Sequence, residues 1–307
     1  MNVKQMQANG LMVIAAIIWG MAFVAQRVGM EYLEPFTFNG IRFALGSLSL
    51  IPLIVVLDRR KKRIGTTPPD SELKPLVLRG LIAGLFLFSG ASLQQIGIVY
   101  TTAGNAGFIT GLYVVIVPLL GLFWAKMPDT GTWMGAALAA VGLYFLCITD
   151  ALTIAYGDLL VFIGAFFWAG HVLVVGLFSR KTDAIKLAFF QFVFCSAFSM
   201  ITALAIETIT LDGIRQAAVA IFYGGVGSVG IAFTLQVVGQ KHADPAHAAI
   251  ILSLESAFAA LGGWLFLNET LSSRSFMGCC FMFAGMVLSQ AYPYLKQFIS
   301  NQRQALG

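Results

Sequence analysis

Charge is scarce in this sequence. Lys, Arg, Asp and Glu make up 11% of its 307 residues, against roughly 25% in a soluble domain, too few to coat a water-facing surface around a core of this size. Histidine numbers 3 and cysteine 4. Cys147, Cys195, Cys279 and Cys280 fall in apolar runs with no CxxC spacing and no flanking histidines, so they are expected to pack rather than to bind a metal. Phosphate-cradling GKS/T loops and GxSxG elbows are missing, and with them the machinery of ATP-driven pumping and serine hydrolysis. No cofactor, no metal and no enzymatic activity are expected. The net charge of +5 does not point to nucleic acid, because the basic residues form no stripe beside stacking aromatics.

What is abundant is apolar. Hydrophobic residues reach 58% and the mean hydropathy is +0.84, so lipid must be the main solvent. A hydrocarbon core about 30 Å thick takes about 20 apolar residues per helix. Runs of that length predict ten spans, near 9–29, 36–57, 75–98, 103–125, 131–149, 157–178, 185–206, 214–238, 246–266 and 274–293. The runs do not alternate, which excludes a β-barrel and makes the fold class an all-α membrane protein. Lys4 ahead of the first run admits a signal-peptide reading, but the run is long and no A-x-A site follows it, so a retained first helix is expected.

Orientation follows from one loop. Asp58-Arg-Arg-Lys-Lys-Arg63, followed by TTPPD, is strongly basic, and the positive-inside rule puts it in the cytoplasm. Both termini then lie inside, and so do 15 of the 19 Lys and Arg residues. Arg27, Arg215 and Arg274 fall outside, and Arg42 lies within the second span.

Landmarks recur in the two halves of the chain. Trp19 and Trp168 are 149 positions apart, as are Arg42 and Gln191; LQQIG at Leu93 and LQVVG at Leu235 are 142 apart; Gly135 and Gly142 precede Gly278 and Gly285 by 143. Five helices per half is an odd number, so residues 1–150 and 151–307 are expected to form two five-helix repeats of opposite topology, together one transport domain. Gly135 with Gly142 and Gly278 with Gly285 each share a helix face, which predicts that the fifth and tenth spans meet there.

With these landmarks in view, the chain resembles the EamA-type ten-helix members of the drug/metabolite transporter superfamily. The resemblance is carried by IIWGMAFVAQRVGMEYLEPFTFNGIRF and LQQIGIVYTTAGNAGFITGLYVVIVPLLGLFWA in the first half. In the second it is carried by LQVVGQKHADPAHAAIILSLESAFAALGGWLFLNETLS and the helix of Gly278 and Gly285. The chain departs from the family at Glu255-Ser256, where Glu-Pro is frequent, and at KMPDT, where a Glu often follows the fourth span. The resemblance implies a multi-pass protein of a bacterial inner (plasma) membrane, monomeric or homodimeric, that moves amino acids or other metabolites outward. A non-transporting receptor or scaffold is the alternative.

Candidate site residues are the polar ones inside apolar runs. Arg42 and Glu255 are full charges deep in their spans, where an unpaired charge costs several kcal/mol. They are expected either to pair across the halves or to serve substrate binding and proton coupling. Glu255 is the candidate for coupling, since Asp150, Asp158, Glu207 and Glu269 fall near span ends. His171 offers a relay or an interhelical hydrogen bond, as His247 does with less weight. Gln94, Gln191 and Gln236 offer interhelical bonding or cavity lining, and Trp19 with Trp168, both near mid-span, offer the walls of a cavity. Gly104, Gly107 and Gly111 read as close-contact points between helices. The expected partners are a small-molecule substrate, the lipid bilayer and, if transport is coupled, protons.

Overall fold

The structure is a computed structural model that describes residues 3–64, 73–122, 129–147, 155–270, 272–274, 276–281, 283–285, 287–288, 291–292 and 296. Lys126, Asp150, Arg303, the TTPPD stretch, the ends of the expected fourth and fifth spans and parts of the tenth lie outside the described residues, as does the Cys147 side chain.

Every regular element among the described residues is helical. The first three spans are α1 (Val3–Gly29), α2 (Pro35–Arg63) and α3 (Leu73–Gly97). The fourth consists of α4 (Ala103–Thr110) and α5 (Tyr113–Gly121), followed by α6 (Thr130–Cys147). The second half begins with α7 (Tyr156–Phe178) and α8 (Ala184–Ile206). After the short α9 (Leu211–Gln216) come α10 (Ala218–Phe222), a π-helical segment (Tyr223–Phe233) and α11 (Thr234–Gln240), then α12 (Pro245–Leu252) and α13 (Glu255–Leu267). Eight stretches are long and apolar enough to cross a membrane. Shorter apolar helices, Trp133–Gly142 within α6 and Phe276–Gly285, occupy the places of the expected fifth and tenth spans.

Three spans that the sequence presents as uninterrupted are not regular. In the fourth, the ladder tightens to i→i+3 bonds at Leu112 N→Ile109 O (3.1 Å), Val114 N→Gly111 O (3.1 Å) and Val115 N→Leu112 O (2.8 Å). In the ninth the same happens at Leu254 N→Ile251 O (3.2 Å), Ser256 N→Ser253 O (3.1 Å) and Ala257 N→Leu254 O (3.1 Å). A mid-helix 3₁₀ turn of this kind often marks a hinge or a functional site. The two turns coincide in detail: Leu112 has φ −60° and ψ −17°, Leu254 φ −57° and ψ −19°, and the two residues are 142 apart. The eighth span widens instead, into a π-helix whose Gly224, Gly225, Gly227 and Gly230 weaken its α preference.

Helix ends obey ordinary capping rules. Thr102 accepts a hydrogen bond from Asn105 N at the start of α4 (3.0 Å), Asp244 from Ala246 N at the start of α12 (3.0 Å), and Asp183 from Ile185 N and Lys186 N at the start of α8 (3.0 and 3.2 Å). Glu269, beyond α13, returns to accept from Ala103 N (2.8 Å) and Gly104 N (3.0 Å), while Glu207 accepts from Phe36 N (2.8 Å) and Thr37 N (2.6 Å) at the start of α2. These acidic groups stand at span ends, where the exposed N–H groups favour anions.

Contacts between the halves build the core. Helix α2 packs on α8, α3 on α7 and α8, α1 on α13 and the π segment, and α4 on α13 and α7. Close approach of α4 and α13 depends on small residues: a Cβ at Gly107 would overlap the Ala259 Cβ, and one at Gly111 would overlap the Ser256 hydroxyl, which donates to Gly107 O at 2.8 Å. A Cβ at Gly104 would stand 3.6 Å from the Ala260 Cα, an ordinary contact. Helix α6 meets the Phe276–Gly285 helix where expected. A Cβ at Gly285 would stand 2.5 Å from Gly135 O and 3.1 Å from Ala139 N, and Phe145 stacks on Phe281 with ring centroids 5.7 Å apart.

Candidate functional site

The helices line a cleft between the halves whose cavity volume is about 40 Å³. Ten of its fourteen lining residues fall into five pairs at the spacings already noted. Trp19 and Trp168, and Phe23 and Val172, are separated by 149; Gln94 and Gln236, Thr110 and Leu252, and Tyr113 and Glu255 by 142. Tyr113 and Glu255 are the first residues of α5 and α13, directly after the tightened turns.

Six of the eight residues anticipated from sequence line this cleft: Trp19, Arg42, Gln94, Trp168, Gln236 and Glu255. His171 and Gln191 do not. Both are fully buried and hydrogen-bond to each other at 3.0 Å, which satisfies one polar atom on each and keeps the pair behind the wall. The His171 ring meets Trp168 and Phe233 edge-on at 6.0 Å, so it braces the lining rather than belonging to it.

Arg42 and Glu255 share the cleft but form no ion pair, so of the two expected roles the pairing across the halves is not the one seen. Arg42 Nε donates to Asn39 Oδ1 at 2.9 Å, and Asn39 is fixed by donating to Ala91 O at 3.1 Å. The guanidinium carbon stands 5.6 and 5.0 Å from the ring centroids of Phe38 and Phe43, close enough for cation–π attraction. All these partners are neutral, so a guanidinium only 2% exposed keeps its charge unopposed by any carboxylate within ion-pair distance among the described residues. Glu255, 4% exposed, has the Tyr113 phenol beside it, but the Tyr113 hydroxyl makes no well-formed hydrogen bond.

The first-half side chains are largely satisfied. Thr110 donates to Gln94 at 3.2 Å, Gln94 donates to Gln26 at 3.0 Å, and Gln26 donates to Ala22 O at 3.2 Å. Trp19 Nε1 donates to the Ser228 carbonyl on the π segment at 3.3 Å. Phe233 is wedged between the two indoles, 4.5 Å from Trp19 and 5.9 Å from Trp168.

Sequence reasoning overlooked Tyr113, Thr110, Gln26, Phe23, Ser228 and Phe233. A signal existed for several: Glu255 displaced by 142 is Tyr113, and Phe23 and Gln26 follow Trp19 by four and seven positions, on the same helical face. Ser228 and Phe233 reach the cleft through the widened π segment, which no apolar periodicity announces.

Comparison with known proteins places this architecture. The EamA-like transporter family matches the chain twice, over residues 6–148 and 155–290. The chain belongs to the EamA-like transporter family. EamA-like relatives include an uncharacterized transporter of Archaeoglobus fulgidus, 29% identical over 94% of this chain and 87% of its own length. The uncharacterized transporter YoaV of Bacillus subtilis is 22% identical over 87% and 92%. YedA of Escherichia coli, described as an uncharacterized inner membrane transporter, is 27% identical over 50% of this chain and 48% of its own. A solved crystal structure shares the fold with a TM-score of 0.68 at 18% identity, covering 92% of this chain and 96% of that one. The EamA-like chain is thus a multi-pass membrane transporter, and the second family match begins 149 positions after the first.

Proposed function

We propose that this chain is a secondary transporter that exports small polar metabolites such as amino acids by alternating access through the cleft between its halves. The observation that carries the reading is the composition of the cleft: repeat-related pairs of side chains surround an unopposed Arg42 and a buried Glu255. Residues 1–150 and 151–307 act as two inverted five-helix repeats, whose near-equivalent half-sites let a small rocking motion open the centre to either side in turn. The matched 3₁₀ turns beside Tyr113 and Glu255 supply flexible points in the fourth and ninth spans. Both termini face the cytoplasm, the side to which the basic loop after α2 assigns them.

A zwitterion suits this chemistry. The planar guanidinium of Arg42 matches a carboxylate in a bidentate fork, and Glu255 accepts hydrogen bonds from an ammonium group. The indole and phenyl rings of Trp19, Trp168 and Phe233 give the apolar part of a substrate flat surfaces. Glu255 is the acidic side chain of the lining, which makes it the group to carry a proton against the substrate. Glu255→Gln keeps the shape and removes the titration. In proteoliposomes loaded with labelled amino acids, that variant should lose flux driven by a pH gradient and retain exchange at equal pH. Full gradient-driven flux in Glu255→Gln would remove the coupling role and leave a facilitator.

A further inference from the structure

We propose that the cleft, although lined by matched pairs, reads its ligand asymmetrically: within those pairs Trp168, Gln236, Glu255 and Tyr113 hold the polar head group together with Arg42, while Trp19 and Gln94 hold the protein together. The inference rests on the reading of the cleft as a substrate site. Its support lies in the fate of each polar group within a pair. Trp19 Nε1 is engaged by the Ser228 carbonyl at 3.3 Å, whereas Trp168 Nε1 is buried with no partner. Gln94 is bonded on both sides, to Gln26 at 3.0 Å and to Thr110 at 3.2 Å, whereas the position equivalent to Thr110 is Leu252, and a buried oxygen of Gln236 is unpaired. In the third pair the Tyr113 hydroxyl lies beside Glu255 without a hydrogen bond of good geometry to it. Trp168, Gln236, Tyr113 and Glu255 are all more than nine-tenths buried and line one cleft.

Leaving a buried polar group unmatched costs about as much as losing a hydrogen bond, so the Trp168 N–H, the Gln236 oxygen and the Tyr113 hydroxyl, beside the buried Arg42 and Glu255, define what must satisfy them. Trp168 and Arg42 only donate, Glu255 as a carboxylate only accepts, and Gln236 and Tyr113 do both. A ligand with a carboxylate and a neighbouring ammonium meets all of them: the carboxylate faces Arg42 and the Trp168 N–H, the ammonium faces Glu255 and the Gln236 oxygen, and the Tyr113 hydroxyl bridges. A simple amine leaves Arg42 unopposed, and a simple acid leaves Glu255 unopposed.

The test is thermal stabilisation of the purified full chain by three probe sets: a mixture of the standard L-amino acids, their decarboxylated amines, and their 2-hydroxy acids. Wild type should be stabilised by the amino acids at concentrations where the other two sets do little. Trp168→Phe, Gln236→Leu and Tyr113→Phe should raise the concentration of half-maximal stabilisation about tenfold with little change in ligand-free melting. Trp19→Phe and Gln94→Leu should show the reverse emphasis, a lower ligand-free melting temperature and a smaller loss of affinity. Equal or greater affinity loss in these first-half variants would overturn the asymmetry. Because three independent second-half or bridging substitutions are compared, failure of one to fold leaves the others to decide. Stabilisation by amines or hydroxy acids as strong as by amino acids would overturn the ligand class while leaving transport intact. The transport reading itself falls only if the protein also carries no solute in liposomes.

Discussion

Replacing Phe233 by Ala should be among the most damaging single substitutions in this protein. Phe233 is 5% exposed and touches Trp19, Trp168, Phe43, Phe192 and His171, with ring centroids between 4.5 and 6.1 Å away. In a water-soluble core, Phe→Ala costs about 3–5 kcal/mol, of which about 1.5–3 kcal/mol is transfer of the ring out of water. A membrane span unfolds into lipid, where that transfer term vanishes and packing alone remains. The difference leaves about 2 kcal/mol, roughly a thirtyfold change in the folding equilibrium. Phe222, earlier in the same span and 65% exposed, controls for the ring itself: Phe222→Ala should cost under about 0.5 kcal/mol. Titration with a denaturing detergent from bicelles, read by tryptophan fluorescence, would measure both. Equal losses for the two variants would refute the view that Phe233 is the wedge fixing the two indoles.

Asp183 caps α8 and meets Lys61 across the halves. Burial raises its carboxyl pKa, but the hydrogen bond from Lys61 and the Lys186 and Ile185 N–H groups outweigh this and hold it below the usual value. A depressed pKa means the stabilisation is complete above about pH 4 and is lost as pH falls through the folded-state value. Asp183→Ala should therefore cost about 1 kcal/mol at neutral pH, and the gap to wild type should close on acidification in a pH series of unfolding midpoints. Gly285→Leu should separate α6 from the Phe276–Gly285 helix, since even a Cβ there meets Gly135 O; loss of a crosslink between cysteines placed at Phe145 and Phe281, whose rings stack across this seam, would report it. Reporters fused after Arg63 and after Arg303 should read cytoplasmic, and one near Asp212 external; the opposite result at Arg63 would reverse the orientation.

The helical class and the two-fold recurrence of landmarks were legible because apolar run length and offset are properties of the sequence itself. Trp19 with Trp168 and Gln94 with Gln236 stood out as polar or bulky residues at matched mid-span places. Tyr113 did not, because an aromatic residue in an apolar run is indistinguishable from packing until the equivalent position is seen to hold Glu255. The 3₁₀ turns at Leu112 and Leu254 escaped notice since hydropathy reports length and polarity, not the hydrogen-bond ladder. Arg42 and Glu255 invited pairing by charge alone, whereas Asn39, Phe38 and Phe43 already surround the guanidinium. For His171 and Gln191 the sequence left interhelical bonding and cavity lining open, because their mutual hydrogen bond is a tertiary contact between residues twenty positions apart.

The claim that the cleft carries a metabolite is tested most directly by counterflow in proteoliposomes, with an isotopically labelled cell extract outside, an unlabelled one inside and mass spectrometry to identify what exchanges. Wild type should accumulate one or a few small polar solutes above empty liposomes, and Arg42→Gln, which keeps hydrogen-bonding capacity and removes the unopposed charge, should lose that exchange. No solute exchanged above empty liposomes, or full exchange by Arg42→Gln, would contradict the account.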